Sequence, residues 1–209
     1  PEKAWNTNLS VRFERNRWSA MLTVYRNVIW DFIYLDPSRN TVLTVRGAFP
    51  AYYYRQAEQA VLQGFDGNFS VPLPKGFSVE GGCSLLRGQR KTPDAETPFD
   101  WLPLMPADRF QYGFRWGHKQ GYLRLSANTV RQQTRIPEAG LLKAAPNGFT
   151  VLNFDAAHTF LISKDKKPLE IGLTLQNLAN TRYREYLNFF RYYADEPGLT
   201  LGLRAKLTF

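Results

Sequence analysis

The sequence predicts an all-β protein, an antiparallel transmembrane β-barrel wall, and three observations predict it. Leu199 to Phe209 alternates apolar and polar residues without a break. A period of two over about ten residues makes a strand long enough to cross a bilayer at a tilt. Short and long connections take strict turns along the chain, the asymmetry that a membrane barrel has between its two rims. Aromatic residues recur beside the short turns, where amphipathic rings suit the headgroup level.

Nine strands are expected. The first points Trp5, Thr7, Leu9, Val11 and Phe13 outward and Asn6, Asn8, Ser10, Arg12 and Glu14 inward. After the short turn Asn16-Arg17, the second starts at Trp18 and shows Ala20, Leu22 and Val24 outward. A long connection, Leu35 to Ala51, precedes the third, which runs down to Phe69, Val71 and Leu73. Pro74-Lys75-Gly76 turns into the fourth, with Phe77, Val79, Gly81, Cys83 and Leu85 outward. Beyond Arg90 to Pro106, the fifth has Phe110, Tyr112, Phe114 and Trp116 out, and Arg109, Gln111, Gly113 and Arg115 in. His118 to Gly121 leads to the sixth, with Leu123, Leu125 and Ala127 out, and Tyr122, Arg124, Ser126 and Asn128 in. The long Arg135 to Gly148 precedes the seventh, with Leu152, Phe154, Ala156 and Phe160 outward. Ser163 to Pro168 turns into the eighth, with Leu169, Ile171, Leu173 and Leu175 outward. Asn180 to Gly198 then joins the terminal strand. Phe13, Trp18, Phe77, Trp116, Tyr122, Phe160 and Phe209 would form the aromatic girdle at the short-turn rim.

Closed bacterial barrels of this type have an even number of strands. If the C-terminus is periplasmic, the ninth strand runs downward, and so does the first. The expectation is a chain that begins mid-barrel, with at least one strand outside it.

Composition narrows the classes. With 44% hydrophobic and 15% aromatic residues, the chain is not disordered. The mean hydropathy of −0.39 reads as soluble, but alternation dilutes apolar residues in barrels. No uncharged apolar run approaches the roughly 20 residues of a membrane helix, and Pro1 to Trp5 has no signal-peptide character. The net charge of +9 raises nucleic acid as a partner, yet the basic residues are spread rather than gathered in one helix or arm. No nucleic-acid partner is expected. The single Cys83 and the well-separated His118 and His158 make no zinc site, and no cofactor is expected. No HExxH, GxSxG or P-loop appears, so no catalysis is expected. Asp94 and Glu96 read as solvated loop carboxylates.

Four segments resemble the C-terminal part of TonB-dependent outer-membrane receptors: the opening P-E-K-A-W-N, Asp31-Phe32-Ile33-Tyr34, Leu175 to Tyr183 (L-Q-N-L-A-N-T-R-Y), and the terminal strand ending in Phe209. Pro197-Gly198-Leu199-Thr200 departs from the Gly-Arg that many relatives carry there. The resemblance implies about the last nine strands of a 22-stranded barrel, spanning residues 1–209. Neither plug domain nor TonB box is recognisable in these residues. It further implies an outer-membrane location and non-enzymatic, TonB-dependent import of a scarce nutrient such as a ferric siderophore or other metal chelate. The TonB complex would be met through the plug. Phe209 resembles the terminal aromatic that the outer-membrane assembly machinery reads. The alternatives are a smaller self-contained barrel, acting as passive pore or adhesin, and a soluble basic β-protein that binds nucleic acid.

Two sets of site residues follow. By strand parity Arg12, Arg109, Arg115, Arg124, Arg131, Arg204 and Lys206 are expected in the lumen, paired with acidic groups more than touching ligand. In the outer loops, Tyr52, Tyr53, Tyr54 and Arg55, then Phe99 and Trp101, then Arg182, Arg184, Arg191, Tyr192 and Tyr193 combine rigid rings with guanidinium groups. That combination suits an anionic or aromatic ligand, or packing between loops.

Overall fold

The computed structural model describes residues 1–45, 47–91, 99–137, 145–162 and 167–208. Its strands are β1 (Lys3–Arg15), β2 (Trp18–Thr44), β3 (Gly47–Pro72), β4 (Phe77–Lys91), β5 (Phe99–Trp101), β6 (Arg109–His118), β7 (Gly121–Val130), β8 (Phe149–Ile162), β9 (Lys167–Gln176) and β10 (Thr200–Leu207). Nine pair antiparallel in the order β1-β2-β3-β4-β6-β7-β8-β9-β10, and the short β5 adds to β4. The sheet is open in this chain: among the described residues β1 pairs only with β2, and β10 only with β9. No helix among the described residues is long and apolar enough to cross a membrane. Phe209 and the loop carboxylates Asp94 and Glu96 lie outside the described residues.

The register turns nine alternating sequences into two faces. Directly opposed residues in antiparallel strands share a face. Phe13, Ala20, Phe69, Gly81, Tyr112, Ala127 and Leu152 form one such row across seven strands. Phe77, Trp116, Leu123, Ala156, Leu173 and Leu203 form another. Most of these side chains stay exposed: Leu203 is 76% and Leu201 62% accessible. In water such a face would be untenable, and in a bilayer it meets lipid. The opposite face carries Glu14, Ser19, Ser70, Glu80, Gly113, Ser126 and Asn153 in register.

At the short-turn rim, Asn16 and Arg17 both take left-handed conformations, φ 48° and 72°. Two such residues let a tight hairpin match the twist of its strands. Lys75 and Gly76 are also left-handed, and a Cβ on Gly76 would collide with the Gly117 carbonyl. The expected girdle is present in part. Phe77 stacks on Phe114 at 5.1 Å and lies 6.4 Å from Trp116, and His158 packs edge-on against Phe160 at 4.5 Å. Tyr122 faces inward, as its strand parity predicts, and so is not part of the lipid-side girdle. Opposite Gly117 it belongs to the polar face, where its ring lies 4.8 Å under Arg115.

The other rim departs more. Leu35 to Ala51 is not a loop, because β2 and β3 continue as a paired ribbon to Thr44 and Gly47, with one register shift between Pro37 and Thr41. Cross-strand backbone hydrogen bonds sustain the ribbon where side-chain alternation has ended. Within Arg90 to Pro106, Phe99–Trp101 forms the additional β5.

Candidate functional site

Charge pairing organises the polar face. Arg124 Nε donates to Glu80 Oε2 at 3.0 Å across β6, past Gly113, which has no side chain to obstruct the bond. Arg204 reaches Glu170 at 2.6 Å, and Lys206 stands opposite Glu170 in register. Arg12 Nε donates to Glu14 at 2.9 Å. Between these pairs lies a groove of about 440 Å³ lined by Asn68, Gln111, Arg124, Asn153, Asp155 and Thr174. Its amides and hydroxyls give it hydrogen-bonding capacity with little net charge. Arg131 does not belong here. Its backbone N–H donates to the Asp108 carbonyl at 2.9 Å, one step beyond the end of β7. It is two residues along from Thr129, which opposes Phe110 on the apolar face. Strand parity therefore takes it to the lipid side.

The segment joining β9 to β10 folds back over the polar face at the long-loop rim. Asn177 begins it in the left-handed region, φ 53°, and is 2% exposed. Its Nδ2 donates to the carbonyls of Thr181 at 2.9 Å and Pro197 at 3.3 Å, and its Oδ1 accepts from Thr181 N–H at 2.8 Å. Asn180 Oδ1 accepts from Leu199 N–H at 3.1 Å. The two ends of the segment are thus tied together by asparagine side chains. From there it crosses β8 and β7. Tyr183 packs on Phe149 with ring centroids 4.3 Å apart, and Arg109 on β6 grips Glu185 with both terminal nitrogens, at 2.6 and 3.2 Å. Burial first, then the carboxylates of Glu196 and Glu185, push the Tyr183 hydroxyl above its ordinary pKa. Beneath the segment is a cavity of about 410 Å³ lined by Arg109, Gln111, Asn128, Asn153, Gln176 and Tyr183. We call residues 177–199 the strap.

The strap's arginines divide. Arg191, in the turn Phe189–Tyr192, is 5% exposed. Its guanidinium sits 4.4 Å over the Tyr186 ring and 4.7 Å over Tyr192, and donates to the Tyr192 hydroxyl at 2.6 Å. Arg184 bonds Asp195 at 2.6 Å and the Arg191 carbonyl at 2.8 Å. These two hold the strap's shape, so the capture role expected of Arg191 is corrected: its charge is enclosed between rings. Arg182 is exposed. The tip presents Phe189, Phe190, Tyr192 and Tyr193, with Tyr193 84% accessible.

The remaining rim residues lie elsewhere. Tyr52 and Tyr53 are exposed on the β2–β3 ribbon, and Arg55 opposes Tyr34 there. Trp101 opposes Gln89, on the row of Val61, Val28 and Trp5, and therefore on the outward face. Arg90, 3% exposed, lies 4.2 Å over Tyr34 and bonds Asp100 at 2.9 Å. Sequence reasoning missed a second knot. Asp108 is 3% exposed and takes Arg87 on both oxygens, at 2.6 and 3.0 Å, and Arg135 at 2.8 Å. Burial alone would raise its pKa, but the hydrogen bond from Arg87 and the charges of Arg135 and Arg87 outweigh that and hold the carboxyl below its usual value. Buried Gln133 donates to the Met105 and Pro106 carbonyls at 2.7 and 2.9 Å. Among the described residues, no group of three or more His, Cys, Asp or Glu is placed to hold a metal ion.

One apolar face, one charge-paired polar face and long segments at a single rim define the wall of an outer-membrane β-barrel. The family described as "TonB dependent receptor-like, beta-barrel" matches residues 1–178. The chain belongs to the TonB-dependent receptor β-barrel family, and its location is the outer membrane of a Gram-negative bacterium. The family is one of receptors and transporters rather than enzymes. Among solved structures, the copper transporter OprC is similar over 100% of this chain and 31% of its own, with TM-score 0.80 and 19% identity. The ferric enterobactin receptor PfeA from Pseudomonas aeruginosa, as a G324V mutant, is similar over 96% and 30%, with TM-score 0.64 and 17% identity. The siderophore receptor PirA from Acinetobacter baumannii is similar over 96% and 31%, with TM-score 0.62 and 16% identity. The chain thus spans about a third of the length of the solved structures it matches. No curated protein matches the sequence.

Proposed function

We propose that this chain is the C-terminal barrel wall of a TonB-dependent importer for an anionic metal chelate, a ferric siderophore first among them. The observation that carries the reading is the strap. It is anchored to the lumen wall through Asn177 and the Arg109–Glu185 pair, yet it offers Arg182, Phe189, Phe190, Tyr192 and Tyr193 to the medium. Rings beside a free guanidinium attract anionic, aromatic surfaces. Tyr52, Tyr53 and Arg55 on the ribbon would join the capture surface. The polar groove beneath supplies hydrogen-bond partners and little net charge, which suits passage more than retention. Energy would come from TonB acting on a plug, and Phe209 would serve the assembly machinery. The names of PfeA and PirA support a ferric siderophore, and that of OprC keeps copper as a second cargo.

The test is uptake of radiolabelled ferric catecholate and hydroxamate chelates, and of copper, by cells carrying or lacking the full-length gene, with and without TonB. One cargo should enter only when both are present. The double variant Arg182→Gln/Tyr193→Ala should lower binding of that cargo and flatten its salt dependence, because exposed charge is screened over about 8 Å at physiological ionic strength. Entry that ignores TonB would replace the proposal with a passive pore, and entry of none of the cargoes would refute it.

A further inference from the structure

The outward face gains charge over two adjacent rows. The lower begins with Leu9, Val24, Phe65 and Leu85, opposed in register. Two residues further along come Thr7, Arg26, Gln63 and Arg87, again opposed in register. On the neighbouring strands Asp108 and Arg131, joined by the Arg131 N–H to Asp108 carbonyl bond, stand one row lower, because the register continued from Cys83 and Phe110 sets Asp108 opposite Leu85. Trp18 to Arg26, Trp116 to Asp108 and Leu123 to Arg131 are each eight residues. That is about 27 Å of strand, or about 21 Å of height at a 40° tilt. The apolar band of an outer-membrane barrel is about 25 Å tall. With the Trp116 girdle at the inner interface, the two rows therefore stand at the outer headgroups. Tryptophans mark the same interface: Trp5, Trp30 and Trp101 lie within two rows beyond it, Trp5 being 67% and Trp30 41% exposed.

The two rows carry surplus charge. Asp108 is shared between Arg87 and Arg135, and Arg26 and Arg131 add two further guanidinium groups to the same face. Neither Arg26 nor Arg131 has a side-chain hydrogen bond or ion pair among the described residues. From β2 to β7 the two rows span four strand spacings, roughly 19 Å. Arginine is built for bidentate contact with phosphate.

We propose that Arg26, Arg87, Arg131 and Arg135 form a binding site for the phosphorylated headgroup of an anionic lipid in the outer leaflet. The acyl chains of that lipid lie on the Leu9, Val24, Phe65 and Phe110 surface below. Its phosphates sit between Arg26 and Arg131, with Arg87 and Arg135 held in place by Asp108. The site is independent of the cargo.

The test uses the full-length receptor purified in detergent. A diphosphorylated, multiply acylated glycolipid and its dephosphorylated form are added separately, and bound lipid is read by native mass spectrometry. The wild type should retain the phosphorylated lipid preferentially. Arg26→Gln/Arg131→Gln should lower that retention about 25-fold, from about fivefold for each arginine near an anionic surface. Arg26→Lys/Arg131→Lys should retain most of it, which separates lost charge from lost fold. Equal retention of the two lipids by the wild type would show acyl binding alone and overturn the proposal. Wild-type retention by the Gln double variant would overturn it too.

Discussion

Asn177 offers the sharpest test of how the strap is held. Replacing it with Ala removes three hydrogen bonds, to Thr181 N–H and to the Thr181 and Pro197 carbonyls. At about 1 kcal/mol net each, they amount to about 3 kcal/mol. Asn177 is also left-handed, φ 53°. Asn tolerates that conformation, and Ala pays about 1 kcal/mol more. The total of about 4 kcal/mol raises the population of the opened strap about a thousandfold. The barrel strands should be unaffected, because β9 and β10 remain paired from Gln176 and Thr200 down. The assay is hydrogen exchange of the Thr181 and Leu199 amides in the full-length receptor, with limited proteolysis across residues 182–195. Asn177→Gly supplies the control. It loses the bonds but not the conformation, so its exchange should fall several-fold short of the Ala variant. Exchange within tenfold of wild type in Asn177→Ala would show that the knot does not hold the strap. Faster exchange in Gly than in Ala would refute the conformational part of the reasoning.

Two further outcomes are expected. Leu203→Arg, in the row of Leu173 and Ala156, should cost roughly 2–4 kcal/mol in a lipid-refolding assay, whereas Thr200→Arg at the rim should cost much less; equal costs would dissolve the two-face assignment. Phe209→Ala in the full-length receptor should lower the amount of folded protein in the outer membrane and leave transport per folded molecule near normal, and an unchanged folded yield would remove Phe209 from assembly.

The strands and their faces were legible because each strand writes its own period of two, and nine of them agree. Leu199, Leu201 and Leu203 need no partner to be read. The β2–β3 ribbon was hidden because Pro37, Gly47 and Pro50 read as loop punctuation, while its pairing rests on backbone bonds that no side chain advertises. Arg191 and Arg182 were equivalent on paper. Only the packing of Tyr186 and Tyr192 around one of them makes the difference. Glu80 and Glu185 could not be matched to Arg124 and Arg109, 44 and 76 residues away, before the strands were in order. Arg131 lies two residues on from Thr129, which opposes Phe110 on the apolar face, so strand parity sets it on the lipid side.

The ribbon has a consequence for a crowded cell surface. Pairing of β1 with β2 begins at Trp30, and pairing of β3 with β4 begins at Gln59. Among the described residues, the ladder over 32–44 and 47–57 joins β2 and β3 to each other alone. An exposed edge recruits other strands, and on a surface packed with copies of the same receptor the commonest stranger is a twin. Pro37 and Pro50 sit on opposite strands near the register shift, and a proline has no N–H to offer a ladder. The ribbon is thereby written to keep its neighbours at arm's length.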